Sequence, residues 1–149
     1  MSQTLIKFAT FFCRKIHRKS LLYRYMIKKG KEFMTKILIG NTLVVKISGE
    51  MDHSNSNKYR HEIDREIKGR PVKNLVFDFK DLDFMDSSGI GMILGRYKTI
   101  KGLDGNVMIA APKQQVEKII NISGLHKIIP VYESVDRAIN SMREVACNG

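Results

Sequence analysis

The chain has 149 residues, 43% of them hydrophobic and 28% charged, which suits one compact core and argues against both a disordered chain and two independent domains. A formal charge of +11 brings nucleic acid and anionic membranes into question, but the surplus is local: residues 1–33 hold nine Lys or Arg against one acid, and residues 34–149 hold seventeen against fourteen. The larger part is therefore nearly balanced, and direct nucleic-acid binding is not expected of it.

Residues 1–33 carry two readings. Leu5, Phe8, Ala9, Phe12 and Ile16 recur at helical spacing beside Lys7, Arg14, Lys15, Arg18 and Lys19, the pattern of a basic amphipathic helix on anionic lipid. Against this, the codons of "KGKEF" before Met34 can form a purine tract placed like a bacterial ribosome-binding site, so this extension is expected to be non-native upstream translation or disordered, with the working domain running from 34 to 145 and a tail over 146–149. No window reaches the roughly 18 uninterrupted apolar residues of a membrane span, and no membrane is expected as a partner. Cys13 and Cys147 stand near opposite ends without companions at metal-ligand spacing, the usage of a reduced, cytoplasmic protein.

From Met34 onward the hydrophobic period alternates. Thr42–Ser48 is β-branched and apolar and stops at Gly49, a strand. Tyr59, Ile63 and Ile67 share one stripe of a helix over Asn55–Lys68, ended by Gly69-Arg70-Pro71. Asn74–Phe79 is apolar enough to be a strand covered on both faces. Ile90, Ile93, Leu94 and Tyr97 predict a core-facing helix ending at Gly102, with Asp86, Ser87, Ser88 and Gly89 at its start. Asn106–Ala111 is a further strand, and Pro112 precedes a helix carrying Val116, Ile119 and Ile120. Lys127–Tyr132 reads as an edge strand because of Pro130, and Val135, Ala138, Ile139 and Met142 mark a last helix. Strands separated by helices require crossovers, so the class is α/β with a sheet parallel at its centre.

Ser87 thus follows the carboxyl end of a strand and opens a helix, the edge where ligands of such sheets meet the protein. Asp86 and the serines can also simply cap that helix. Several chemistries do not fit. Gly89, Gly91 and Gly95 miss the dinucleotide fingerprint and suit close helix–sheet packing; M-D-S-S-G is not the G-x-S-x-G of a nucleophile elbow; His53, His61 and His126 form no metal or base constellation. Asp78, Asp81, Asp83 and Asp86 lack the spacing of a calcium loop and read as a solvated acidic rim, while Met85 reads as core. No metal, cofactor or catalytic residue is indicated.

Taken together, "ISGEMDHSNSNKYRHEI", "DFMDSSGIGMILGRYKTIK" and "NISGLHKII" resemble the STAS-domain anti-anti-sigma factors, and among them the sporulation branch, over Met34 to about Met142. Met51 and Ile90 are mild departures from the family pattern. The resemblance implies a four-to-five-stranded mixed sheet with about four helices packed mainly on one face, and a binding switch rather than an enzyme. It implies as partners an anti-sigma factor that is also an ATP- or ADP-bound serine kinase, and a serine phosphatase. The modified residue in the family directly follows the motif aspartate, which places it at Ser87, with Ser88 as the alternative. Asp52, Asp86, Ser87, Ser88 and Gly89 would then line the partner surface, Asp52 having a second reading as a helix cap. A nucleotide-binding module and a membrane-attached regulator are the competing functions.

Overall fold

The computed structural model describes residues 24–26 and 34–148. Apart from Arg24–Met26, the expectations for residues 1–33, Cys13 included, fall outside them. Eight strands and four α-helices follow in order: β1 Arg24–Met26, β2 Met34–Ile39, β3 Thr42–Ile47, β4 Gly49–Met51, α1 His53–Gly69, β5 Asn74–Asp78, β6 Leu82–Met85, α2 Ser87–Gly102, β7 Val107–Ala110, α3 Gln114–Ile122, β8 Val131–Tyr132 and α4 Val135–Asn148. The main sheet has the order β1-β2-β3-β5-β7-β8. Its first two pairings are antiparallel and the other three parallel, so the expected α/β class with a parallel centre holds.

β2 was not anticipated. Its sequence MTKILI is short and begins beside the basic extension, but it pairs along its whole length with β3 through the turn Gly40–Asn41, where Gly40 adopts a φ of 61° that a side chain disfavours. β5 is buried on both faces as its composition predicts: Leu75 and Phe77 join one apolar cluster and Val76 the other. The larger cluster lies beneath α1, α2 and α3 and includes Tyr59, Ile63, Ile93, Val116 and Ile120. The smaller gathers Ile37, Ile39, Val44, Val76 and Met108 under Val135, Ala138 and Ile139 of α4. Three helices on one face and one on the other match the expected lopsided layering.

Two local expectations shift. Lys127 belongs to a short 3-10 turn, Leu125–Lys127, and only Val131–Tyr132 pairs as an edge strand after Pro130. On α2 the buried positions are Gly89, Met92, Ile93, Arg96 and Ile100, while Ile90, Leu94 and Tyr97 are only partly buried. The cause is Arg96, whose charge hid the true stripe. Its Nε lies 2.9 Å from Asp64 Oδ1, an ion pair between α2 and α1. α1 is tied to β2 in a similar way, through Lys36 Nζ at 3.2 Å from Glu62 and 3.3 Å from Glu66.

Candidate functional site

The segment expected to be an acidic connection after β5 contains a strand. β6 pairs in parallel with β4 as a small second sheet, with Glu50 opposite Phe84 and Met51 opposite Met85. Both methionines are fully buried, as Met85 was expected to be. Each strand then runs through one aspartate into a helix, so α1 and α2 start side by side. The Asp86 N–H donates to Met51 O at 3.3 Å and stitches the two junctions together.

Both aspartates are N-caps. Asp52 Oδ1 accepts the Asn55 N–H at 3.0 Å and the Ser54 hydroxyl at 2.7 Å; α1 begins at His53, two residues before the expected start. These hydrogen bonds, Ser54's first, hold the Asp52 carboxyl below its ordinary pKa. Asp86 Oδ1 accepts the Ser88 N–H at 2.8 Å and the Gly89 N–H at 3.2 Å. Such bonds satisfy amides that a helix start leaves without partners.

The two serines differ. Ser87 is exposed. Ser88 is half-buried, and its Oγ lies 3.3 Å from Nδ1 of His53, a surface histidine that sequence reasoning set aside. No sequence signal marks this pair, thirty-five residues apart. Gly89 is buried: a Cβ there would stand 2.6 Å from Met85 Cγ and 3.1 Å from Met51 Cγ and from Met51 O, so its lack of a side chain seats α2 on the strand ends. The same close packing was expected at Gly91 and Gly95 and is not found, since nothing lies within 4 Å of a Cβ at either.

The other acids are not a uniformly solvated rim. Asp78 is buried, and desolvation pushes its carboxyl above the usual range, while its Oδ1 accepts the Lys80 N–H at 3.1 Å. Asp81 pairs with Lys46 Nζ at 2.6 Å, and that hydrogen bond pulls its carboxyl down. Asp83 pairs with Lys113, while its backbone oxygen accepts Gln115 Nε2 at 3.1 Å, fixing the start of α3 beside β6. Among the described residues, no group of three or more His, Cys, Asp or Glu is placed to hold a metal ion. Phe84, 45% exposed on β6, is the exposed large apolar side chain nearest the serines in sequence among the described residues. A hollow of about 500 Å³ lies at the opposite pole, where Thr42, Asn74 and Asn106 mark the amino ends of the parallel strands. No helix among the described residues is long and apolar enough to cross a membrane.

A mixed sheet with its helices gathered chiefly on one face carries at its edge a strand-to-helix junction of sequence D-S-S-G, whose aspartate caps the helix. The chain belongs to the STAS-domain family, whose profile matches residues 34–138. Its relatives are regulators. An anti-sigma F factor antagonist of Paenibacillus polymyxa is 38% identical over 104 residues, covering 70% of this chain and 89% of the relative. An anti-sigma-B factor antagonist of Bacillus subtilis is 26% identical over 91 residues, covering 61% and 82%. Among solved structures, the anti-sigma factor antagonist SpoIIAA in its unphosphorylated form superposes with a TM-score of 0.63 at 27% identity, over 82% of this chain and 96% of that one. The Bacillus cell fate determinant SpoIIAA in the phosphorylated form gives 0.56 at 25% identity, over 80% and 98%.

Proposed function

We propose that this protein is an anti-sigma factor antagonist of the sigma F, sporulation type, acting in the cytoplasm. In the unphosphorylated state it docks, through the junction of β6 and α2, on an anti-sigma factor that is also a nucleotide-bound serine kinase, and the sigma factor is released. The kinase esterifies Ser87, the modified chain lets go, and a serine phosphatase resets it. Asp52, Asp86 and Ser88 flank Ser87 on the docking surface, and buried Gly89 fixes the height at which α2 presents them.

The observation that carries this reading is the exposure of Ser87 at the first position of α2, beside an Asp86 already committed to capping. A relative is known in both phosphorylated and unphosphorylated forms, which supports the same chemistry here. Phosphorylation adds about −1.5 to −2 charges and three acceptor oxygens. The start of a helix accommodates an anion, with a gain of about 1 kcal/mol, so the domain stays folded. A partner that closes over a neutral hydroxyl would instead bury a dianion beside the Asp86 carboxylate, at a cost of several kcal/mol. Each 1.4 kcal/mol is tenfold in affinity, so a loss of about a hundredfold or more is expected.

Titration calorimetry against the anti-sigma F factor, with and without ATP, tests the proposal. Ser87→Ala is expected to bind like wild type and accept no phosphate, and Ser87→Asp to bind at least about a hundredfold more weakly. A Ser87→Ala chain labelled as fast as wild type would refute the assignment.

A further inference from the structure

Two hydroxyls stand next to each other at the head of α2, and the switch needs only one. Successive helical residues point roughly 100° apart about the axis, so the serines face different neighbours. Ser87 faces solvent. Ser88 is half-buried, its amide held by Asp86 at 2.8 Å and its hydroxyl met by His53 Nδ1 at 3.3 Å. His53 reaches it because of strand pairing. With Met51 opposite Met85 in the β4–β6 ladder, Asp52 and His53 follow one strand as Asp86 and Ser87 follow the other. The ring is thus placed by a sheet register rather than by a loop.

We propose that His53 selects Ser87 over Ser88 as the phosphate acceptor by holding the Ser88 hydroxyl in a hydrogen bond. The proposal rests on the phosphoserine switch described above. In the transfer, a serine Oγ forms a bond to the γ-phosphorus of ATP as the bond to the β,γ-bridging oxygen breaks. ADP leaves with that electron pair, and the hydroxyl proton passes to a base on the kinase. The acceptor must aim a lone pair at phosphorus and offer its proton to that base. Ser87 meets both conditions. Ser88 is less free to do so: an unprotonated Nδ1 accepts the Ser88 O–H and keeps that proton from the kinase's base, and a protonated one donates to one of its two lone pairs, so in either tautomer the hydroxyl is turned toward the ring. Presenting Ser88 requires breaking that bond and swinging the ring aside.

The test uses the full chain, the anti-sigma F factor of Paenibacillus polymyxa as kinase, radiolabelled ATP, and mass-spectrometric mapping of the phosphate. Wild type is expected to carry phosphate on Ser87, and Ser87→Ala to carry almost none. Ser87→Ala combined with His53→Ala is expected to regain label on Ser88, about tenfold above Ser87→Ala alone, the scale of one hydrogen bond. Exposed His53 can be truncated without opening the core. His53→Phe, which keeps a ring and removes the nitrogen, is the second variant, with a gain at Ser88 comparable to that of His53→Ala. No gain at Ser88 in either background overturns the proposal, as does loss of kinase binding by a folded His53→Ala chain, since the ring would then be a partner contact. A wild-type chain labelled on neither serine overturns the switch itself and the proposal with it, and is told apart by that control.

Discussion

The two strand-to-helix junctions of this domain are built alike and finished differently. Each leaves a parallel strand at a buried methionine, passes one capping aspartate and enters a helix, so that Asp52, His53, Ser54 and Asn55 match Asp86, Ser87, Ser88 and Gly89 position by position. The first junction is closed with side chains: Ser54 bonds Asp52 at 2.7 Å, and Asn55 Nδ2 reaches Glu50 O at 3.4 Å. The second is capped through backbone donors alone. Asp86 takes only amides, Gly89 has no side chain, and the first hydroxyl is left to solvent. A rigid seat beneath a free hydroxyl suits reversible esterification, because the charge can be added without disturbing the packing that holds it.

The sharpest way to break this comparison is to put a side chain on Gly89. Met51 and Met85 are almost wholly buried and have no solvent to swing into, and Met51 O is backbone. Gly89→Val is expected to cost about 3 kcal/mol in urea unfolding, the upper end of overpacking a core. Its counterpart Asn55→Ala, on the closed junction, is expected to stay within about 0.5 kcal/mol of wild type. Equal midpoints for Gly89→Val and wild type would mean that α2 is not seated as described.

The caps come next. Asp86→Ala leaves two half-buried amides unpaired and is expected to cost about 1–1.5 kcal/mol. Asp52→Ala is expected to cost less, because its carboxylate faces water, and its effect carries a pH signature. The folded pKa of Asp52 is depressed, so its contribution is fully present above the unfolded carboxylate pKa and lost as pH falls through the folded value. Melting curves of Asp52→Ala and wild type should therefore converge on acidification. A gap that stayed constant down to the acid limit would show that Asp52 does not stabilise as an anion.

Much of this was legible from residues alone, for a definable reason. Val76 beside Leu75 and Phe77 could only be a strand buried on both sides, and Tyr59, Ile63 and Ile67 could only be one face of a helix. Motif position pointed to Ser87 because its neighbours repeat a family pattern. What stayed hidden depends on pairing between distant segments. β4 and β6 are three and four residues long, too short for any period, and each exists only because the other lies beside it. Arg96 belongs to the buried stripe of α2 although its charge gives no sign of it, and its counter-ion Asp64 stands on another helix. His53 looked solvated, since nothing in its own segment indicates that Ser88 will stand 3.3 Å away. Glycine was ambiguous for the same reason: Gly89, Gly91 and Gly95 look equivalent in GIGMILG, and only the first meets a neighbour.

That last distinction supports the smallest effect to be expected. Gly91 and Gly95 sit inside α2 with open space where a Cβ would go, so Ala at either should stabilise the free domain by up to about 1 kcal/mol through helix propensity alone. In the complex the two positions should part. Gly91 is exposed and one turn below Ser87, on the same side of the helix, whereas Gly95 is a further turn along and half-buried. If the partner closes over Ser87, a methyl at 91 intrudes on it and a methyl at 95 does not. Gly91→Ala is therefore expected to unfold at higher urea yet bind the anti-sigma factor several-fold more weakly, and Gly95→Ala to gain stability with binding unchanged. Unaltered binding by Gly91→Ala would confine the docking surface to the cap itself, and weakened binding by Gly95→Ala would extend it along the whole first half of α2.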